Sequence, residues 1–294
     1  MRARTRKTML AISLTLCVII LIIQADSSVK STLSLNHASP NPRRRMVEYT
    51  IVAEHPHDPS AFTEGLFFYK NNLYESTGRS GSSFIRKVNV STGGVIQEFT
   101  LPKSFFGEGI AIVNDMMYML TYKAKKGFIL DPESFNIVGD FVYETETKEG
   151  WGMTSNGVVP QLIVSDGSAT IFVWEPSTST GNTVMNVVRT FKVTQDGKPI
   201  RRINELEFIK GQLWANVWFT NRLLRIDLDS GEVLQSIDLS LLVPHVTSLN
   251  GLSGNDKYNA VMNGIAFNPK NQHVYVTGKL WDKMFELDFP SLLQ

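Results

Sequence analysis

Cysteine is almost absent from this chain of 294 residues, and the single one, Cys17, lies in an uncharged run at residues 9–23. Everything after that run therefore has no disulfide framework, no thiol nucleophile and no thiolate metal site. An excess of charge of one sign is missing too. Lys and Arg total 29 against 28 Asp and Glu, and no long basic stripe follows residue 45, so nothing points to nucleic acid. Zinc-ligand spacing, a phosphate-cradling glycine loop and a nucleophile elbow are all lacking. His55-Pro56-His57 reads as a loop, without a third ligand at metal spacing. Helical periodicity over a long window is lacking as well.

The one long hydrophobic run has 15 residues, short of the roughly 20 that span a membrane as a helix. Arg2, Arg4, Arg6 and Lys7 precede it, so residues 1–25 read as a signal peptide cleaved after Ala25, or as an uncleaved signal-anchor. Either way the basic end stays in the cytoplasm and the remainder goes to the lumen or outside. The expectation is a secreted or luminal protein of the secretory pathway, touching a membrane only through an uncleaved leader. Residues 26–45 are polar, include Arg43-Arg44-Arg45, and read as a linker. Asn89-Val90-Ser91 is a glycosylation sequon at an expected turn, as suits a secreted glycoprotein.

What the chain does have is repetition. A short phrase returns five times, as Phe62-Thr63-Glu64-Gly65-Leu66, Phe106-Gly107-Glu108-Gly109-Ile110, Gly150-Trp151-Gly152-Met153, Ile203-Asn204-Glu205-Leu206 and Met262-Asn263-Gly264-Ile265. Glu64, Glu108, Trp151, Asn204 and Asn263 hold equivalent places, 44, 43, 53 and 59 residues apart. A period of about 40–50 residues is the mark of a propeller or solenoid. Further strand-length runs rich in Val, Ile, Phe, Tyr and Trp follow each phrase, bounded by Gly, Asn, Asp, Ser or Pro. Four strands per repeat make a propeller blade. The fifth repeat lacks its fourth strand, and residues 47–52 are a spare one that can supply it. The fold class expected is all-β: a five-bladed β-propeller over residues 46–294, its ring closed by the N-terminal strand in the last blade. About 20 strands, almost no helix and a monomer are expected, since closure removes exposed edges. Equivalent positions around one axis converge, so the five phrase residues should meet.

On residue type alone each of these has a structural role open to it. Glutamate before glycine can face solvent at a channel mouth, and Asn204 can satisfy backbone groups near a turn. Trp151 and Trp218 can pack between blades, Lys279 can be a surface lysine, and Glu207 can pair or bind an ion inside the channel.

Several phrases resemble the glutamine cyclotransferases of the plant and bacterial type. They are Phe62-Thr63-Glu64-Gly65-Leu66, Phe106-Gly107-Glu108-Gly109, Asp166-Gly167-Ser168, Asn204-Glu205-Leu206-Glu207, Trp214-Ala215-Asn216-Val217-Trp218 and Thr277-Gly278-Lys279-Leu280-Trp281. Order and spacing are similar across roughly residues 47–288. The resemblance implies a five-bladed propeller that converts an N-terminal glutamine of a peptide or protein to pyroglutamate and releases ammonia. It implies no catalytic cofactor, while a structural Ca or Zn ion in the channel is left open. By position in the motifs, Glu108 matches a proton shuttle, and Asn204 and Lys279 match substrate or oxyanion contacts. Phe62, Phe106, Trp151 and Trp218 match aromatic walls. Glu64 and Tyr122 stand where the family usually has Gln and Trp, and both are expected at the substrate. Glu64 and Glu108 should repel, so that one keeps its proton to higher pH and a protonated Glu64 serves as a donor. Two other readings remain: a non-catalytic ligand- or glycan-binding propeller, and a metal-dependent lactonase-like one.

Overall fold

Short apolar runs separated by tight turns become 22 strands in the computed structural model of the chain, which describes residues 47–179 and 182–293. These described residues belong to one compact unit. The leader and linker assigned to residues 1–45 lie outside the described residues.

A strand β1 (Thr50–Pro56) precedes a first antiparallel run of β2 (Thr63–Tyr69), β3 (Asn72–Thr77), β4 (Phe84–Val88) and β5 (Val95–Thr100). The next run is β6 (Gly107–Val113), β7 (Met116–Thr121), β8 (Lys126–Leu130) and β9 (Ile137–Val142). It is followed by β10 (Met153–Ser155), β11 (Leu162–Ser165), β12 (Thr170–Ser179) and β13 (Asn182–Lys192). Here β13 meets β9 in parallel at Thr183–Phe141 and Val184–Val142, so these eight strands form one sheet. A small ribbon, β14 (Thr194–Gln195) with β15 (Lys198–Pro199), leads into β16 (Ile203–Ile209), β17 (Gln212–Val217), β18 (Arg222–Ile226) and β19 (Val233–Asp238). The last sheet is β20 (Met262–Asn268), β21 (His273–Gly278) and β22 (Lys283–Asp288), with β1 added on the outside of β22.

Local chemistry explains the hairpins. Lys70-Asn71, Asn114-Asp115 and Lys210-Gly211 all have positive φ and join the first two strands of their runs, as a two-residue hairpin turn of the right twist requires. The glycines of the repeated phrase have a different task. A Cβ on Gly109 would collide with the backbone of Gly152 and Met153, and one on Gly152 with that of Asn204 and Glu205. The first strands of successive runs thus approach closely: β2 lies against β6 and β20, β10 against β6 and β16, and β16 against β20. Glu205 and Glu207 stitch them. Glu205 accepts from the amides of Leu66 (3.3 Å) and Ile265 (2.8 Å), and Glu207 accepts from the Phe267 amide (2.9 Å) and the Thr154 hydroxyl (3.2 Å). Burial holds both acids up, with Glu207 at about 8 and Glu205 raised further by the charge of Glu207.

Helix is sparse, as expected: among the described residues it is confined to 240–259, which form two 3-10 segments (Ser240–His245, Thr247–Gly251) and a short helix α1 (Gly254–Asn259). This stretch lacks the alternating apolar residues a strand needs. One expectation needs correction: His55-Pro56-His57 is not a free loop, since β1 runs through Pro56 opposite Lys283.

His57 is buried and sits between the Trp281 carbonyl (Nδ1, 2.7 Å) and Glu75 (Nε2, 2.9 Å). A carbonyl only accepts, and despite burial the Glu75 carboxyl is held below its ordinary range by His57 and Arg86, so the two contacts favour an imidazolium that donates from both nitrogens. Burial alone would lower its pKa, but the charge and hydrogen bond of Glu75 outweigh it and the net shift is upward. A raised histidine contributes stability that is complete below its unfolded value and fades as pH climbs through the folded one. His57→Gln is expected to lose about 3 kcal/mol near pH 6 and distinctly less near pH 9. Denaturant unfolding at both pH values checks this, and an equal loss at both would show that the ring is neutral in the fold.

Candidate active site

The repeat places one set of side chains at the starts of inner strands. Phe62 and Phe106 stand just before β2 and β6, and Trp151 stands two residues before β10. Glu64, Glu108 and Asn204 are the second residues of β2, β6 and β16. Tyr122, Trp218 and Lys279 follow the ends of β7, β17 and β21. In an antiparallel hairpin, the start of one strand and the end of the next share an edge. All nine side chains accordingly line one cavity of about 240 Å³, together with Asn259. Asn263, the fifth phrase residue, stands behind it and donates to the Thr63 carbonyl (3.0 Å) and to Glu64 (3.3 Å).

The polar floor is buried: Glu64, Glu108, Asn204 and Lys279 are each 5% exposed or less. Lys279 Nζ lies 2.6 Å from Glu64 Oε1 and 4.6 Å from the centre of the Phe62 ring. Burial pushes the Glu64 carboxyl up, and the Lys279 ammonium opposes that. Glu108 stands well above the ordinary carboxylate range, first through burial and then through the charge of Glu64, with only partial relief from Lys279. Both carboxyls are held above the ordinary range, Glu108 the more strongly, and the ammonium beside Glu64 favours the ionised form there.

The walls are aromatic. Phe62 meets Phe106 edge-on at 6.2 Å, Phe106 lies 5.6 Å from Tyr122, and Trp151 meets Trp218 edge-on at 5.2 Å. Trp151 Nε1 donates to Glu149 at 3.0 Å. Two buried polar atoms of the cavity lining have no hydrogen-bond partner: Asn204 Oδ1, an acceptor, and Trp218 Nε1, a donor. Buried polar groups normally carry a hydrogen bond. Both atoms are therefore free to meet a group placed in the cavity.

Sequence reasoning missed Asn259. It ends α1, in the one long segment without the repeated phrase, and no residue-type signal marks it. A larger cavity of about 640 Å³ opens at the opposite ends of the inner strands, lined by Ile110, Thr154, Glu207 and Phe267 among others. None of the nine residues reaches it, and its glutamate already has two strand partners. The smaller cavity holds the convergent polar groups, which is the stronger sign of chemistry. Among the described residues, no three His, Cys, Asp or Glu side chains are grouped to hold a metal ion.

Comparison with known proteins identifies the family. The family model for glutamine cyclotransferase matches residues 20–289. The chain is 36% identical over 258 residues to a glutaminyl-peptide cyclotransferase of Arabidopsis thaliana, covering 87% of this chain and 74% of that one. The crystal structure of Myxococcus xanthus glutaminyl cyclase superposes with a TM-score of 0.72 at 31% identity, over 84% of this chain and 98% of that one.

Proposed function

Since this chain belongs to the glutamine cyclotransferase family and is an enzyme of that type, we propose that its small cavity folds the N-terminal glutamine of a peptide onto itself and closes it to pyroglutamate. The α-amine and the side-chain amide are parts of one residue, so proximity is supplied covalently and no protein nucleophile is needed. The amine nitrogen bonds to the amide carbon, the amide C–N bond breaks, and ammonia leaves. One proton must pass from the attacking nitrogen to the departing one. Glu108, holding a proton at the start, gives it to the leaving nitrogen and takes one back from the new ring nitrogen. Trp218 Nε1 and the Lys279 ammonium are the donors for the oxyanion, and Asn204 Oδ1 accepts from the α-amine. Aromatic walls hold the short side chain in its bent form.

The observation that carries this reading is the buried Glu108 carboxyl, its pKa held well above the ordinary range, beside an unpartnered donor and an unpartnered acceptor in one cavity. A site that only binds a glycan or other ligand has no use for a buried acid poised to give up a proton. A lactonase-like metal site is less well supported, since Glu64 is taken by Lys279.

We read the architecture as five blades of four strands, with β1 completing the last. Support comes from the five four-strand groupings, the cyclic order of neighbouring inner strands, and five apolar clusters, each between one run and the next.

The purified protein is expected to release ammonia from Gln-Gly but not from N-acetyl-Gln-Gly, whose α-amine is blocked. Release from both at equal rates, or from neither, would sink the proposal.

A further inference from the structure

A line of aromatic rings leads out of the cavity. Trp218, a cavity wall, stacks on Phe219 with centroids 4.0 Å apart, and Phe219 lies 4.7 Å from Tyr258. Arg202 lies over the Phe219 ring at 5.6 Å. Tyr258 ends the line and is 66% exposed. An aromatic ring so open on a short helix gains little from burial, and its position is nevertheless fixed. The next residue, Asn259, lines the cavity, and its Nδ2 donates to the Asn255 carbonyl at 2.9 Å. Asp256 of the same helix is bound by Arg79 Nη2 at 2.8 Å. Beyond it, the Val261 carbonyl accepts from the Lys279 amide at 2.9 Å, which ties the segment to the catalytic floor.

The cavity of about 240 Å³ is smaller than a site for a drug-sized ligand, roughly 300 Å³ at least, and suits one folded residue. The peptide that follows must leave through the mouth. Successive Cα atoms are about 3.8 Å apart, so the second residue's side chain emerges at the rim. The ring waiting there is Tyr258. We propose that Tyr258, seated against Phe219, forms an outer subsite for the side chain of the residue after the substrate's N-terminal glutamine, and that it favours a flat apolar side chain. The proposal rests on the cyclisation reading given above.

The test compares kcat/KM for Gln-Phe and Gln-Gly in the wild-type enzyme, Tyr258→Ala and Tyr258→Phe. Ring-on-ring contact supports a preference of about three- to tenfold for Gln-Phe in the wild type. The gain should lie in KM, since the ring contact is the same before and during closure. Tyr258→Ala should bring the ratio to near one, and Tyr258→Phe should keep it. A wild-type ratio near one, or a ratio that survives Tyr258→Ala, would overturn the subsite while ammonia release upholds the cyclase. No ammonia from either dipeptide with the wild type would remove both readings.

Discussion

Replacing Glu108 with glutamine is expected to lower kcat by about 10²–10⁴-fold while KM stays nearly constant. Glutamine keeps the shape and much of the hydrogen-bonding capacity of a protonated glutamate, but it cannot give up a proton and take it back. The substitution also leaves the surroundings intact. With its pKa raised, the wild-type carboxyl favours the neutral form, so a neutral amide should preserve the charge of the floor and leave the Lys279–Glu64 pair at 2.6 Å undisturbed. The local backbone is held by Ser76 Oγ, which donates to the Glu108 carbonyl rather than to its side chain. Melting temperature should thus be close to that of the parent, and the loss should be chemical. The pH profile gives a second readout. Because the Glu108 pKa is raised, the proton needed by the leaving nitrogen is present at neutral pH and lost as pH rises through the raised value. The wild type should show that alkaline limb in kcat, and the residual activity of Glu108→Gln should not. A variant that turns over within about threefold of the parent would place the shuttle elsewhere.

Much of the site was legible in the sequence because repetition fixes geometry. Glycine follows the first-strand residue in most copies because inner strands approach too closely for a Cβ, as Gly109 and Gly152 show. Once that register is read, Glu64, Glu108, Trp151 and Asn204 must share one end of the fold, and they line one cavity. The side chains from the second strands, Tyr122, Trp218 and Lys279, were legible only through family resemblance, since nothing in their residue types separates a wall from ordinary packing. What could not be read depends on contacts far apart in the chain. Glu205 sits beside Asn204, yet its partners are the amides of Leu66 and Ile265, on two other strands. The ammonium that separates the two carboxyls could not be placed either, because Lys279 lies 215 residues from Glu64. Asn259 lies in a stretch whose helical turns have no periodic signal, and Pro244 within it discourages any regular reading.

Removing residues 47–54 is expected to lower the melting temperature by about 10 °C or more, although the loss of so short a segment at the edge of a domain is ordinarily mild. β1 is the partner of β22, from Thr50 opposite Asp288 to Pro56 opposite Lys283. The deletion takes away most of that ladder, at about 0.5–1.5 kcal/mol net for each hydrogen bond. It also uncovers apolar surface, because Val47, Tyr49 and Ile51 pack on the cluster that contains Trp214, Phe285 and Phe289. Glu54 goes as well, and with it the hydrogen bond from His245 and the pairing with Lys283. Together these contributions come to about 5 kcal/mol, a large part of the 5–15 kcal/mol by which most domains are stable. The loss also changes association. β22 becomes an open edge with unpaired amides and carbonyls, a template for pairing with a second chain. The truncated protein should therefore melt early and also sediment as higher species under conditions where the parent does not. The catalytic floor offers a third readout, since Lys279 follows β21, which pairs directly with β22. Fraying should reach Lys279 through that pairing, and activity should fall before the chain is fully unfolded. A deletion variant that melts within about 2 °C of the parent and stays monodisperse would mean that β1 decorates the last sheet without closing it.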